Sequence, residues 1–259
     1  MSIFYRPDLN WNNKSSTWYS FELFNKGNIV KSIYQFLGAS TITVACLTSA
    51  NAQSKFEGFY GQVGVGYEST NPTYTSSPFT VVGVGSANMT TSVSNQSGFT
   101  GALGLGYYAA ITKDFLLGLG AEYDPLNSSS ANYTIGIAGV GTTTGTYKKQ
   151  NSYNIFLSPA TPIGTDGLLY GKVGYTGASI QSTAADGSQN STNYTGFSLG
   201  AGYKQIIQGG LYGFGEVNYM NMGNQTNNYS GTAYGYRYTY STTSSATGFN
   251  ALVGIGYKF

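Results

Sequence analysis

The sequence predicts an all-β protein: an eight-stranded antiparallel up-and-down transmembrane β-barrel. Three observations point there: period-2 hydrophobic alternation, scarcity of charge, and connections that alternate between short and long. Only 8% of the 259 residues are Asp, Glu, Lys or Arg, against roughly 25% in soluble domains. A water-facing globular surface is hard to build from so little charge. No apolar run reaches the roughly 18 residues that a membrane-crossing helix needs. If a membrane is crossed, strands must cross it.

In the first strand Phe59, Gly61, Val63, Val65 and Tyr67 share one face, with Tyr60, Gln62, Gly64 and Gly66 on the other. The pattern recurs over Phe99–Tyr107, Phe115–Tyr123, Tyr153–Leu157, Leu169–Tyr175, Phe197–Tyr203, Leu211–Tyr219 and Phe249–Phe259, which makes eight strands. Pro159 and Pro162 cannot donate ladder hydrogen bonds, so they belong near the end of the fourth. Segments 110–114, 164–167 and 206–210 read as tight turns. Segments 71–95, 128–150, 181–194 and 223–246 are rich in Ser, Thr, Asn and Gly and read as long loops. A barrel entered from the periplasm has short turns inside and long loops outside. Aromatic residues end most of the apolar faces, giving two belts. The eight steps from Phe59 to Tyr67 span a height of roughly 20 Å at a typical strand tilt.

Ahead of the strands, segment 30–52 reads as a signal peptide: Lys31, an apolar core from Phe36 to Leu47, and Ala50-Asn51-Ala52 as a small-x-small cleavage site. The barrel domain is then 53–259. Residues 1–29 are polar and aromatic without periodicity and read as a non-native extension, with translation starting near Val30. The single cysteine, Cys46, falls inside the signal core, which leaves the exported chain without a thiol.

Beyond residue 52 eight basic side chains balance eight acidic ones, which argues against nucleic acid as a partner. Repeats such as Gly64-Val65-Gly66-Tyr67 and Gly104-Leu105-Gly106-Tyr107 lie inside strands with no helix after them, so they are not phosphate cradles. No cofactor or metal site is expected. The chain has no histidine, and its loop serines, with Lys148 and Lys149, have no evident partner base, so it is not expected to be an enzyme.

Two groups of residues remain as candidates for function. Glu68, Glu122, Glu216, Lys172, Lys204 and Lys258 fall on the inward faces. An eight-stranded lumen is only wide enough for side chains to fill, so these are expected to pair as a plug, with a narrow pore for small solutes as the alternative. Tyr234, Tyr236, Tyr238 and Tyr240 alternate in the last long loop. They would either form one aromatic face for a sugar or a host protein, or pack across a hairpin that extends above the membrane.

The strand count, the loop alternation and the closing Gly254-Ile255-Gly256-Tyr257-Lys258-Phe259 resemble the small outer-membrane barrels of the OmpA/OmpX/opacity type. The resemblance implies an outer-membrane location, with membrane lipid and the barrel assembly machinery as partners. It implies that Tyr257 and Phe259 form the terminal assembly signal, with no peptidoglycan-binding domain after them. It also implies a structural or adhesin-like role, with host-surface or glycan ligands at the loops.

Overall fold

The computed structural model describes residues 54–126 and 128–259. The expected extension 1–29, the signal peptide 30–52 and Gln53 lie outside the described residues. In chain order the strands are β1 (Gly58–Ser76), β2 (Phe79–Val81), β3 (Gly85–Ala87), β4 (Met89–Val93), β5 (Gln96–Thr112) and β6 (Phe115–Asp124). They continue with β7 (Ala131–Ile137), β8 (Gly141–Ile163), β9 (Gly167–Thr183), β10 (Gln189–Gln208), β11 (Leu211–Ala233) and β12 (Tyr236–Lys258).

Eight of them form the wall, in the order β1-β5-β6-β8-β9-β10-β11-β12, each antiparallel to its neighbours. β12 pairs back to β1, with Ile255 opposite Val63, so the ring closes and leaves no wall strand with an open edge. Closure is what permits strands in hydrocarbon, where no water can satisfy a free N–H or C=O.

The alternation decides which side chains meet lipid. Val65, Leu105, Leu119, Ile155, Val173, Leu199, Val217 and Val253 stand exposed on the outside, as their parity requires. At the long-connection end Tyr67 packs edge-on to Phe99 at 6.2 Å and Tyr219 against Phe249 at 4.9 Å. At the turn end Phe59 meets Tyr107 at 4.8 Å. These rings mark the two edges of the apolar band.

Inside, glycine on one strand faces a large ring from another. A Cβ on Gly118 would lie 2.6 Å from the Tyr108 ring, and one on Gly256 would lie 2.3 Å from the ring of Tyr212. The inward glycines are therefore the space that the tyrosines fill. Phe56, just before β1, turns back into the lumen and is buried 6.4 Å from Tyr212, closing the turn end.

The segments expected as long loops are mostly strand, and this corrects the sequence reading. β8 starts at Gly141, β9 runs to Thr183, β10 starts at Gln189, and β11 and β12 meet at a two-residue turn. In that turn Tyr234 and Gly235 have φ of 52° and 82°, the positive values a tight hairpin turn requires. The first long connection forms β2, β3 and β4, of which β2 pairs with β12 and β4 with β7. At 23 residues, β12 covers roughly 55 Å of height at a typical tilt, about twice the apolar band. Outside the band both faces of a strand can be polar, so hydrophobic alternation vanishes although the ladder continues.

Two ladder irregularities lie where strands leave the band, between Gln150 and Tyr153 of β8 and between Met222 and Gln225 of β11. In the first, Asn151 takes a φ of 50° and its side chain accepts a hydrogen bond from the Tyr123 hydroxyl at 3.0 Å. A bulge displaces the strand by one residue, and each such step exchanges the inward and outward faces.

Candidate functional site

The lumen is filled in three tiers. In the tier nearest the turn end, Lys204 is 2% exposed and its Nζ sits 3.8 Å from the centre of the Tyr60 ring. The rings of Tyr212, Tyr108 and Tyr170 stand at 5.0, 5.2 and 5.2 Å. Among the described residues no carboxylate comes within ion-pairing distance of this ammonium. Its local stabilisation comes from the negative faces of aromatic rings, an interaction that strengthens when water is excluded.

The middle tier is an ion triad. Lys172 Nζ lies 2.5 Å from Glu122 Oε2 and 2.8 Å from Glu216 Oε1, and 4.2 Å above the Phe156 ring. The remaining lone pairs are also used. Tyr170 donates its hydroxyl to Glu216 Oε2 at 2.8 Å, Asn218 donates to Oε1 at 2.7 Å, and Gln62 donates to Glu122 Oε1 at 3.3 Å. Tyr212 in turn donates to Gln62 at 3.1 Å. Two lysines and two glutamates thus share the two inner tiers, equal in number and opposite in formal charge.

The third tier lies at the edge of the band. Glu68 pairs with Lys149, both side chains being almost fully buried, and Thr70 donates to the Glu68 carboxylate at 3.3 Å. Beside them Asp124 accepts from the Thr100 hydroxyl at 2.6 Å and from the backbone N–H groups of Leu126 at 2.9 Å and Gly101 at 3.2 Å.

Of the six charges expected in the lumen, the structure brings Glu122, Lys172 and Glu216 together. Glu68 is inward but pairs with Lys149, a residue read as part of a loop. Lys204 is inward but held by rings. Lys258 does not join the network: it is half-buried at the turn end and makes no ion pair among the described residues. Lys149 points inward because of the bulge at Asn151. Strict alternation back from Tyr153 would have aimed it outward. The signal available in the sequence was the strand-breaking Gln150-Asn151 ahead of an otherwise regular strand.

The structure divides Tyr234, Tyr236, Tyr238 and Tyr240 between the tip of the hairpin and its stem, where the Tyr238 and Tyr240 rings stack with centres 6.4 Å apart. Tyr234 is fully exposed at the turn and Tyr236 is exposed beside it. Tyr238 stacks on Phe79 at 5.3 Å and Tyr240 on Tyr229 at 4.7 Å. Two of the four are thus occupied in cross-strand packing. Tyr257 and Phe259 are exposed at the end of β12, 5.4 Å apart, and the Phe259 N–H donates to the Phe59 carbonyl at 2.9 Å.

Above the Glu68–Lys149 pair, the strand extensions enclose a cavity of about 530 Å³. Its wall carries Met89, Val93, Ile135, Ile180, Met220 and Met222, the rings of Tyr74, Tyr133, Tyr147, Tyr194, Tyr229 and Tyr240, and a number of Ser and Thr hydroxyls. Tyr147 donates its hydroxyl to the Ser94 carbonyl at 2.5 Å, and burial pushes its phenol up to about 12. Burial also raises Tyr74, Tyr133 and Tyr240, so these wall phenols are uncharged at neutral pH.

Closed antiparallel topology, an apolar exterior and a filled lumen define the class: a small β-barrel of the outer-membrane type. Among solved structures the chain is similar to the outer membrane protein OprG of Pseudomonas aeruginosa, with a TM-score of 0.52 and 16% identity over 81% of this chain and 99% of that one. It is also similar to Ail, the attachment invasion locus protein of Yersinia pestis, with a TM-score of 0.36 and 16% identity over 78% of this chain and 99% of that one. For the outer membrane protease OmpT of Escherichia coli the TM-score is 0.44, with 10% identity over 81% of this chain and 99% of that one. No protein-family model and no curated protein matches the sequence.

Proposed function

We propose that this protein is an outer-membrane barrel that is closed to ions and acts at its cell-surface end, as a structural and surface-interaction protein of adhesin-like type. The observation that carries the reading is the contrast along one axis. Across the membrane the lumen is packed with Phe56, four tyrosines around Lys204 and the Lys172 triad, whereas beyond it the same wall opens into a cavity.

A pore for small solutes would need a continuous wet path, and the buried charges would then be screened by water. Here they are paired, hydrogen-bonded or covered by rings instead. The long-connection end faces the medium in such barrels, which makes the β11–β12 hairpin, with Tyr234 and Tyr236 free at its tip, the contact element for a host surface or glycan. Export by cleavage after Ala52, insertion into outer-membrane lipid, and recognition of Tyr257 and Phe259 by the assembly machinery belong to this reading. Nor does the site favour catalysis: the chain has no histidine, Glu122 and Glu216 are committed to Lys172, Glu68 to Lys149, and Asp124 to Thr100 and two backbone N–H groups. Planar-bilayer recordings test the proposal. The barrel should show no steady single-channel steps, and reproducible steps would overturn the sealed-lumen reading.

A further inference from the structure

The cavity above the ion pair has the size of a ligand site and an unexpected wall. Its volume of about 530 Å³ lies within the roughly 300–1,000 Å³ usual for small-molecule pockets. Strand extensions beyond a membrane are wet on the outside, so they need apolar inward residues only if something apolar is to sit against them. Beyond residue 52 the chain has three methionines, Met89, Met220 and Met222, and all three line this one cavity. Methionine is flexible and polarisable, and it recurs where a protein surface must fit ligands of variable shape. The bulge between Met222 and Gln225 contributes to the same end, since it turns Tyr229 and Asn227 inward above Met220 and Met222.

The floor limits the charge of an occupant. Glu68 and Lys149 neutralise each other there, so neither an anion nor a cation finds an unpaired partner, and a charged molecule would lose hydration without replacement. The wall hydroxyls can still hydrogen-bond to one polar group.

We propose that the cavity binds a neutral, mainly apolar small molecule carrying a single hydroxyl or carbonyl group, held against the three methionines and stopped by the Glu68–Lys149 floor. This rests on the sealed-lumen reading only for the ligand being retained rather than passed through.

Because Met89 and Met222 line this cavity and Met220 lies at its inner end, methyl-labelled methionine gives a local readout. The mature barrel, in lipid nanodiscs, would be titrated with 2-naphthol as the neutral probe and with 2-naphthoate as its anionic counterpart. Saturable shifts of the three methyl resonances with 2-naphthol are expected, with the anion at least about tenfold weaker. Thr192→Trp, which fills the cavity from a partly exposed wall position, should abolish saturation while heat-modifiable migration remains. Ala178→Trp repeats the test from a buried wall position. Shifts that grow linearly with probe and persist in both filled variants would mean partition into lipid and would overturn the proposal, as would equal affinity for the anion. Channel steps in a bilayer alongside saturable methyl shifts would defeat only the sealed lumen. A silent bilayer without saturable shifts would defeat only the ligand site.

Discussion

The two halves of this barrel are made by the same strands and end in opposite ways. Within the membrane band β8, β9, β11 and β12 send in Phe156, Lys172, Glu216 and Leu252, and only a small void of about 40 Å³ is left, beside Asn218 and Leu252. A few residues further on, the same strands send in Tyr147, Ile180, Met222 and Tyr240, and the space is open. Ladder pairing is continuous across the boundary apart from one bulge in β8 and another in β11. The difference therefore comes from side-chain volume and from a one-residue change of face, not from a change of fold.

The largest expected effect separates two lysines that a count of charge treats alike. Lys172→Met leaves Glu122 and Glu216 facing each other without a cation, and should destabilise the barrel by about 3–5 kcal/mol, the range for breaking a buried ion pair. Lys204→Met leaves no close carboxylate stranded and removes one cation from a cage of rings, so about 0–2 kcal/mol is expected. Urea unfolding of residues 53–259, which contain no tryptophan, followed by tyrosine fluorescence and heat-modifiable migration would compare them. Equal losses would show that the aromatic cage is as dependent on its charge as the triad.

Packing gives the next contrast. Gly118→Val would drive its Cβ into the Tyr108 ring and should cost about 1–3 kcal/mol. Thr192→Ile adds apolar volume to the cavity wall and should stay within about 0.5 kcal/mol, if the cavity is as open as its volume indicates. Similar losses in unfolding midpoint at the two sites would erase the distinction between plug and cavity.

The sequence showed the wall clearly and the extensions poorly, for a physical reason. Lipid on one side and lumen on the other impose strict alternation, so Phe59 to Tyr67 or Phe249 to Phe259 cannot be read otherwise. In Asn227-Asn228-Tyr229-Ser230 both faces meet water or hydroxyls, and a strand there leaves only Thr and Tyr enrichment as its trace. Glu122, Lys172 and Glu216 were legible as inward charges. Their mutual pairing was not, because it depends on stagger around the ring. Lys149 was hidden by the bulge at Asn151, and the tyrosine cage of Lys204 by the spread of its four rings over four strands.

Smaller effects sharpen the picture of the two ends. Tyr229→Ala removes the stack on Tyr240 at 4.7 Å and should weaken the β11–β12 extension by about 0.5–1.5 kcal/mol. Amide exchange should rise there and not in the barrel wall. At the turn end a hydrogen bond from Lys55 and another from Thr165 hold the Asp166 carboxyl below its ordinary value of 3.8. A depressed carboxyl contributes stability above the unfolded value and loses it as pH falls through the folded one. A small, salt-sensitive loss is therefore expected only below about pH 4, and Asp166→Asn should remove it from the pH profile.

Thiol accessibility tests the division between sealed lumen and open cavity most directly. In a Cys46→Ser background, Thr192→Cys on the cavity wall and Ser158→Cys in the lumen, where the serine is fully buried against the Tyr108 hydroxyl at 2.8 Å, would each be offered a charged thiol reagent from the outer face of intact cells. Rapid labelling at residue 192 and none at residue 158 until the barrel is unfolded is the predicted result; comparable labelling at both in the folded protein would contradict the account.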